Sequence, residues 1–351
     1  MTTQKIKVIG LMSGTSLDGL DVCLCDFEFS NPNWKFEIIH AKTYSYTDEL
    51  KKHLAEAQNY DALSFITLHS QYGFEIGKLV NKFIAEFGIK PDIIASHGHS
   101  IFHVPQKHIM YQIGDGAAIA AETKIPVVSD FRRLDIMLGG QGAPLVPIGD
   151  RTLFAEYDYC LNIGGFSNVS FEKNGQRIAY DVSPANYISN YYCRQIGLEY
   201  DEDGKLGRKG NICQPLLDDL NGLAFYHQDG PKSLAREWVE EDVFPLFEKY
   251  GLSLEDKLRT LYEHVAYQIS RVGKGGKMLI TGGGAFNKYL VELIKEKGGF
   301  EVVIPDPIII GFKEALVFAL LGAMYMFDQK SCLTSVTGAS QDNIGGMLFK
   351  M

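Results

Sequence analysis

Three short stretches of this 351-residue chain carry residue types suited to gripping a polyphosphate. The first runs Gly10-Leu11-Met12-Ser13-Gly14-Thr15-Ser16-Leu17-Asp18-Gly19. Its glycines allow tight backbone curvature, so several N–H groups can converge on one anion. Ser13, Thr15 and Ser16 add hydroxyl donors without negative charge. Asp18 could hold magnesium through water, because that ion takes hard oxygen ligands. The segment has no GK[ST] and opens a hairpin rather than a helix, so it is not a Walker A loop. An ordinary Ser/Gly hairpin turn is the competing reading. Asn162-Ile163-Gly164-Gly165-Phe166-Ser167-Asn168 offers similar chemistry, and two such turns in repeated units could hold a polyphosphate from both sides. Thr281-Gly282-Gly283-Gly284-Ala285 is the third. There glycines would let an adenosine lie against backbone, with a helix N-terminus near its phosphates. A tight strand-to-helix turn needs the same glycines, so this stretch gains weight only beside the other two.

The elements around these turns repeat. Lys5–Leu11, Val22–Phe29 and Phe36–Tyr46 read as strands, followed by helical periodicity over Asp48–Phe87. Asp92–Ser96 is a short buried strand, Gly116–Thr123 a helix and Pro126–Ser129 another strand. The pattern then restarts with strands at Tyr159–Ile163, Val169–Glu172 and Gln176–Asp181, the last two joined by the hairpin signal Asn174-Gly175. Helices dominate Ala185–Val272. A strand at Lys277–Thr281 leads through the glycines to a helix at Phe286–Glu296. This predicts two α/β lobes, 1–147 and 148–351, with a final helix at about 311–330 returning to the first.

Composition narrows the classes. The chain is 46% hydrophobic and 22% charged, as in globular proteins. A formal net charge of -9 argues against broad capture of nucleic acid or anionic membrane. The N-terminus lacks a signal-peptide apolar stretch, and the apolar run around Ala315–Phe327 reads as a buried helix rather than a membrane span. Six cysteines show no CxxC pair and no zinc spacing, which fits reduced thiols in a cytoplasmic protein. His97, His99 and His103 form HxHxxxH, but no further ligand set accompanies them.

The segments MSGTSLDGLD, DFRRLDIMLGGQGAPLVP, LNIGGFSN, ITGGGAFN, GFKEALVFA and VTGAS occur in an order that resembles the anhydro-N-acetylmuramic acid kinase family, over essentially the whole chain. The resemblance implies a duplicated ribonuclease H-like (actin-like ATPase) two-lobe α/β fold, with mixed sheets flanked by helices. It implies ATP and Mg2+ as cofactors, and a small anhydro-amino sugar as the partner molecule. ATP would phosphorylate O6 of the 1,6-anhydro-muramic sugar while water opens the anhydro bridge. Nucleotide contacts would come from Ser13, Gly14, Thr15, Ser16, Leu17, Asp18, Gly19, Leu20 and Asp21, then Gly164, Gly165, Ser167 and Asn168, then Gly282, Gly283 and Gly284. Asp181 stands at the family's catalytic aspartate, although a lone Asp at a strand end also serves as a turn former or helix cap. Glu314 would orient sugar or water, or simply start a helix. His97 and Gly98 would line the sugar site. Arg132 would meet the substrate carboxylate or form an ion pair. A homodimer is also implied.

The chain departs from the family pattern at several positions. Asp181-Val182-Ser183-Pro184-Ala185-Asn186 lacks two glycines of the family's DTGPGN, and SHGQT is Ser96-His97-Gly98-His99-Ser100. PKSTGRE is PKSLARE, whose Lys232 and Arg236 could touch phosphate or ribose or be plain exposed charges. Asp150 replaces a usual histidine. These changes place the doubt on sugar handling, so a kinase of the same fold for another sugar, or a nucleotide-binding regulator without turnover, stays open.

Overall fold

The computed structural model describes residues 3–14, 17–228 and 230–351. The chain forms two compact units, one built from Met1–Leu153 with Phe312–Met351 and the other from Phe154–Gly311. Strands of the first unit are β1 (Gln4–Ser13), β2 (Gly19–Ser30), β3 (Asn33–Ser45), β4 (Ile93–Ser96), β5 (His99–Val104), β6 (Ile109–Ile113) and β7 (Val127–Ser129). The second unit holds β8 (Tyr159–Ile163), β9 (Phe166–Lys173), β10 (Gln176–Pro184), β11 (Lys277–Thr281) and β12 (Glu301–Val303). The last strand, β13 (Met347–Phe349), returns to the first unit.

Both main sheets share one topology. In the first unit the order is β13-β7-β4-β1-β2-β3, with β1–β2–β3 antiparallel and β1–β4–β7 parallel. In the second it is β10-β9-β8-β11-β12, with β8–β9–β10 antiparallel and β8–β11–β12 parallel. This is the duplicated ribonuclease H-like arrangement: an antiparallel meander whose first strand also begins a parallel run.

Along β1 the side chains alternate between two covered faces. Ile9 and Leu11 of β1 join Ile76, Val80 and Phe83 of the helix Ala62–Phe87 in one core. Gly10 faces the other way, onto the helix Pro307–Met326, so closely that an added Cβ would fall 2.0 Å from the Ala315 carbonyl oxygen. Gly322 of that helix likewise meets Ala95 and Val8. The prediction is direct. Gly10→Ala must displace the helix or the strand, and should cost about 1–3 kcal/mol, read as a lowered midpoint in thermal unfolding. An unchanged midpoint would refute the close approach.

That helix is also long and apolar enough by composition to cross a bilayer, yet 67% of its apolar window is buried within the protein. The second unit has its own core, in which Leu161, Ile163, Val169 and Ile280 meet Leu261, Val265 and Ile294 from flanking helices.

Several local expectations differ from what forms. The helical stretch from Asp48 breaks at Ala57–Asn59, because Asp61 caps a new helix by accepting from the N–H groups of Leu63 and Ser64. The hairpin β5/β6 and the strands β12 and β13 lie where no strand was expected. All are short and lack strict alternation, so only their partners reveal them.

Candidate active site

In the first unit the turn between β1 and β2 joins Ser13 to Leu20, which are opposed in the antiparallel register. Thr15 and Ser16 lie outside the described residues. Leu17 is left-handed (φ 58°) and its N–H donates to Gly14 O at 3.3 Å. Gly19 approaches the Tyr44 carbonyl, where a Cβ would come within 2.4 Å. The Ser13 hydroxyl, expected to offer a donor to an anion, instead turns inward. It is 2% exposed and sits 3.2 Å from His99 Nδ1. Leu20 is buried in the core, so only its backbone could serve a ligand. Asp18 is exposed. Asp21 accepts from Thr43 Oγ1 at 2.5 Å, and desolvation raises its carboxyl above the usual range, with Asp18 pushing the same way.

At the end of β4 a polar cluster forms around His97. Its Nδ1 lies 2.9 Å from Gly98 O, a bond that needs the proton on Nδ1. Nε2 is then the acceptor, receiving Arg132 Nε at 3.1 Å and Nη2 at 3.0 Å. Burial and the adjacent guanidinium hold the His97 pKa well below its ordinary value, so the ring stays neutral. Arg132 also donates to Gly142 O at 2.8 Å and stacks 5.7 Å over the Phe318 ring. Burial lowers its pKa to about 10, which leaves it charged. Three of five guanidinium donors are thus engaged with described residues, and two remain to meet an anion. The expected ion pair is not among its described contacts.

Glu314 keeps an exposed surface, yet enough protein crowds it for desolvation to raise its carboxyl; Asp21 adds to that, while Arg132 and Lys313 oppose it. Next to it, Lys313 forms a buried ion pair with Asp150 at 2.6 Å, both side chains 6% exposed. The three imidazoles of HxHxxxH do not converge. His99 meets Ser13, and His103 Nε2 lies 2.7 Å from Gln141 O. Among the described residues no group of three or more His, Cys, Asp or Glu could hold a metal ion.

A cavity of about 300 Å³ adjoins His97 and Gly98, at the carboxyl ends of the paired strands β4 and β7. It holds two buried polar atoms that find no partner among the described residues, Ser96 Oγ and His69 Nδ1. Such atoms can take ligand hydroxyls at little cost. Asp130, left-handed at φ 62° and paired with Arg133 at 2.8 Å, stands at its edge. Gln112 links the cavity to His97, its amide nitrogen 2.7 Å from Nε2. His69 and Gln112 gave no sequence signal, since one lies in an ordinary helix and the other in a hairpin that was not foreseen.

In the second unit Gly164 and Gly165 form the β8/β9 turn. Their carbonyls accept the N–H groups of Ala185, Asn186 and Tyr187, so the turn is tied to the start of the helix Asn186–Arg194. Ser167 is buried and bonds Ser183, so its hydroxyl is not directed at a ligand. Asn168 is exposed and opposes Asp181 across the β9/β10 ladder. Asp181 is half-buried. Desolvation raises its pKa above the usual range, while the Leu234 N–H, donating to Oδ2 at 2.8 Å, pulls it back.

Gly282 is left-handed (φ 79°) and Gly284 packs on Ile163, which brings the glycine run against the end of β8. A 3-10 turn (Gly283–Phe286) intervenes before the helix Lys288–Gly298, whose first turn is capped by Asn287. The helix N-terminus is therefore later, and less open to an anion, than expected. Beside Gly283 lies a cavity of about 460 Å³ lined by Asn186, Asn190, Tyr200, Asp201 and Phe286. Tyr200 and Phe286 are exposed aromatics on its wall, 61% and 52% accessible. Of these residues Asn186 and Phe286 stood in motifs; Asn190 lies inside a helix and Tyr200 and Asp201 in an irregular stretch, which sequence pattern could not aim at one place.

Residues 6–351 match the sequence profile of the anhydro-N-acetylmuramic acid kinase family. The chain is 32% identical to the anhydro-N-acetylmuramic acid kinase of Hydrogenovibrio crunogenus, covering 97% of each chain. It is 34% identical to the protein of the same name from Shewanella sediminis, covering 97% of this chain and 98% of that one. Among solved structures it is similar to the activator of 2-hydroxyisocaproyl-CoA dehydratase from Clostridium difficile with bound ADPNP. That match has 14% identity and a TM-score of 0.43, over 92% of this chain and 97% of the other.

Proposed function

The chain belongs to the anhydro-N-acetylmuramic acid kinase family, and from that premise we propose that it consumes ATP to phosphorylate O6 of 1,6-anhydro-N-acetylmuramic acid while water opens the anhydro bridge. The product is N-acetylmuramic acid 6-phosphate, an intermediate of cell-wall recycling.

The observation that carries this reading is the state of Asp181. Water is a poor nucleophile, so attack at an anomeric carbon needs a carboxylate base, as in an inverting glycosidase. A half-buried carboxylate, steadied on one oxygen and raised in pKa, suits that task. The departing O6 would ordinarily require a general acid. Here it receives a phosphoryl group instead, which joins the two events.

Phosphoryl transfer asks mainly for alignment and charge neutralisation. The cavity beside Gly283 suits an adenosine, with Tyr200 and Phe286 offering ring faces and Asn186 and Asn190 offering amides. With the Ser13 and Ser167 hydroxyls turned inward, backbone amides of the glycine turns are the better phosphate donors. Mg2+, when bound, would supply positive charge that offsets the phosphates. Asp18 and Asp21 are the carboxylates that would hold it, and a magnesium that keeps its waters and phosphate ligands needs no fuller protein cage. On the sugar side, the two spare donors of Arg132 suit a lactyl carboxylate, and the unpartnered Ser96 and His69 atoms suit hydroxyl or amide groups.

Incubating the protein with the anhydro sugar, ATP and magnesium should yield a species heavier by one water plus one phosphoryl group. Mass spectrometry reads this directly. ADP release without that mass, or activity only on other sugars, would refute the assignment.

A further inference from the structure

Asp181 lies on β10, the edge strand of its sheet, where one flank of the backbone has no neighbouring strand. A later segment covers that flank. The Asp181 N–H donates to Lys232 O at 2.9 Å, and two residues on, the Leu234 N–H donates to the Asp181 carboxylate at 2.8 Å. Backbone and side chain of the same aspartate are thus held by one three-residue strap.

The strap is itself pinned by the Lys232 side chain. Its ammonium donates to Phe225 O at 3.0 Å and Gln228 O at 3.2 Å, at the end of the 3-10 turn Ala224–His227, where Phe225 O also accepts the Gln228 N–H. It also sits 4.6 Å over the Phe225 ring. Phe225 is buried against Tyr226 and Trp238, with ring centroids 5.3 and 5.4 Å away. Tyr226 OH is 2.8 Å from His264 Nε2, and His264 Nδ1 is 2.8 Å from Asn221 Oδ1. Burial drives the His264 pKa down to about 3, so this platform holds one protonation state across the working range.

We propose that Lys232 is a positioning residue for Asp181, fixing through the Lys232–Leu234 strap the direction in which the carboxylate faces its water. The proposal rests on reading Asp181 as the base. It also reassigns a lysine whose sequence context allowed a phosphate or ribose contact, since two of its three donors are spent on carbonyls of its own unit. Apart from burial, the Leu234 N–H is the one influence on the Asp181 carboxyl among the described residues, and no described charged neighbour shifts it.

The test compares Lys232→Met and Lys232→Arg in the full chain, by steady-state kinetics across pH and by carboxyl NMR titration of Asp181. Lys232→Met should lower kcat about ten- to a hundredfold, leave the KM for ATP unchanged, and raise the Asp181 pKa as the Leu234 bond loosens. Arginine, which can reach both carbonyls and stack on Phe225, should restore the parent behaviour. If Lys232→Met fails to fold, Leu234→Pro removes that N–H donor while keeping Lys232, and should raise the same pKa. A Met variant with parental kcat and titration overturns the proposal. So does one that loses ATP affinity while Asp181 titrates as before, because that marks a phosphate contact. Asp181→Asn separates the two ideas. An active Asn variant removes the premise, whereas an inactive one beside a neutral Lys232→Met overturns only the strap.

Discussion

Asp181→Asn is expected to lower kcat by about 10²–10⁴-fold, the usual contribution of a general base, with little change in stability or in the KM for ATP. Asparagine has nearly the same volume and keeps an oxygen to accept the Leu234 N–H, so the fold has no reason to move. What it loses is the ability to take a proton from water. The parent enzyme should also show a characteristic pH profile. Desolvation raises the Asp181 pKa above that of a free aspartate. As pH falls, the base is therefore protonated sooner, and the acid limb of kcat should lie above the ordinary aspartate range. Steady-state rates of both proteins across pH check this. An Asn variant within a few-fold of the parent rate would end the assignment of Asp181 as base.

The second large effect concerns stability. Asp150 and Lys313 are paired at 2.6 Å with almost no solvent exposure. Taking two charges out of water is costly, and their mutual attraction offsets the cost only while both are present. Asp150→Ala should therefore destabilise the protein by about 3–5 kcal/mol, because the buried Lys313 ammonium loses the Asp150 carboxylate while staying out of water. Replacing both, as Asp150→Leu with Lys313→Met, should recover most of that loss. Chemical denaturation of the parent, the single and the double variant decides it. A double variant no more stable than the single one would show that the pair is not the relevant interaction. Since Lys313 precedes Glu314 on the helix, a loosened turn there should also disturb Glu314, one of the residues proposed for the sugar side.

The α/β class and the doubled topology were legible because they rest on strong local signals. The hairpin signal Asn174-Gly175 sits at the β9/β10 turn, and Tyr159–Ile163, Lys277–Thr281 and Gly116–Thr123 form with the expected ends. Short pieces such as β5, β6 and β13 were not legible, since a strand of three to six residues is defined by its partner more than by its own pattern. At the candidate site, sequence named positions but not directions. Ser13 and Ser167 both carry hydroxyls in glycine-rich turns, and both bury them, onto His99 and Ser183. Asp150 looked like a change affecting sugar handling, yet its partner Lys313 lies far along the chain and only the fold brings them together. Lys232 was one of two basic residues in PKSLARE; its bonds to Phe225 and Gln228 could not be read from spacing.

The division of the chain has a consequence for biosynthesis. The unit holding β8 to β12 is one continuous stretch, Phe154–Gly311, whereas the other joins Met1–Leu153 to Phe312–Met351. A ribosome therefore delivers every part of the continuous unit before it delivers the segment that packs on Gly10 and Ala95. Until that segment emerges, one apolar side of the earliest-made sheet lacks its covering helix, and the portion translated first is the last whose packing can be completed.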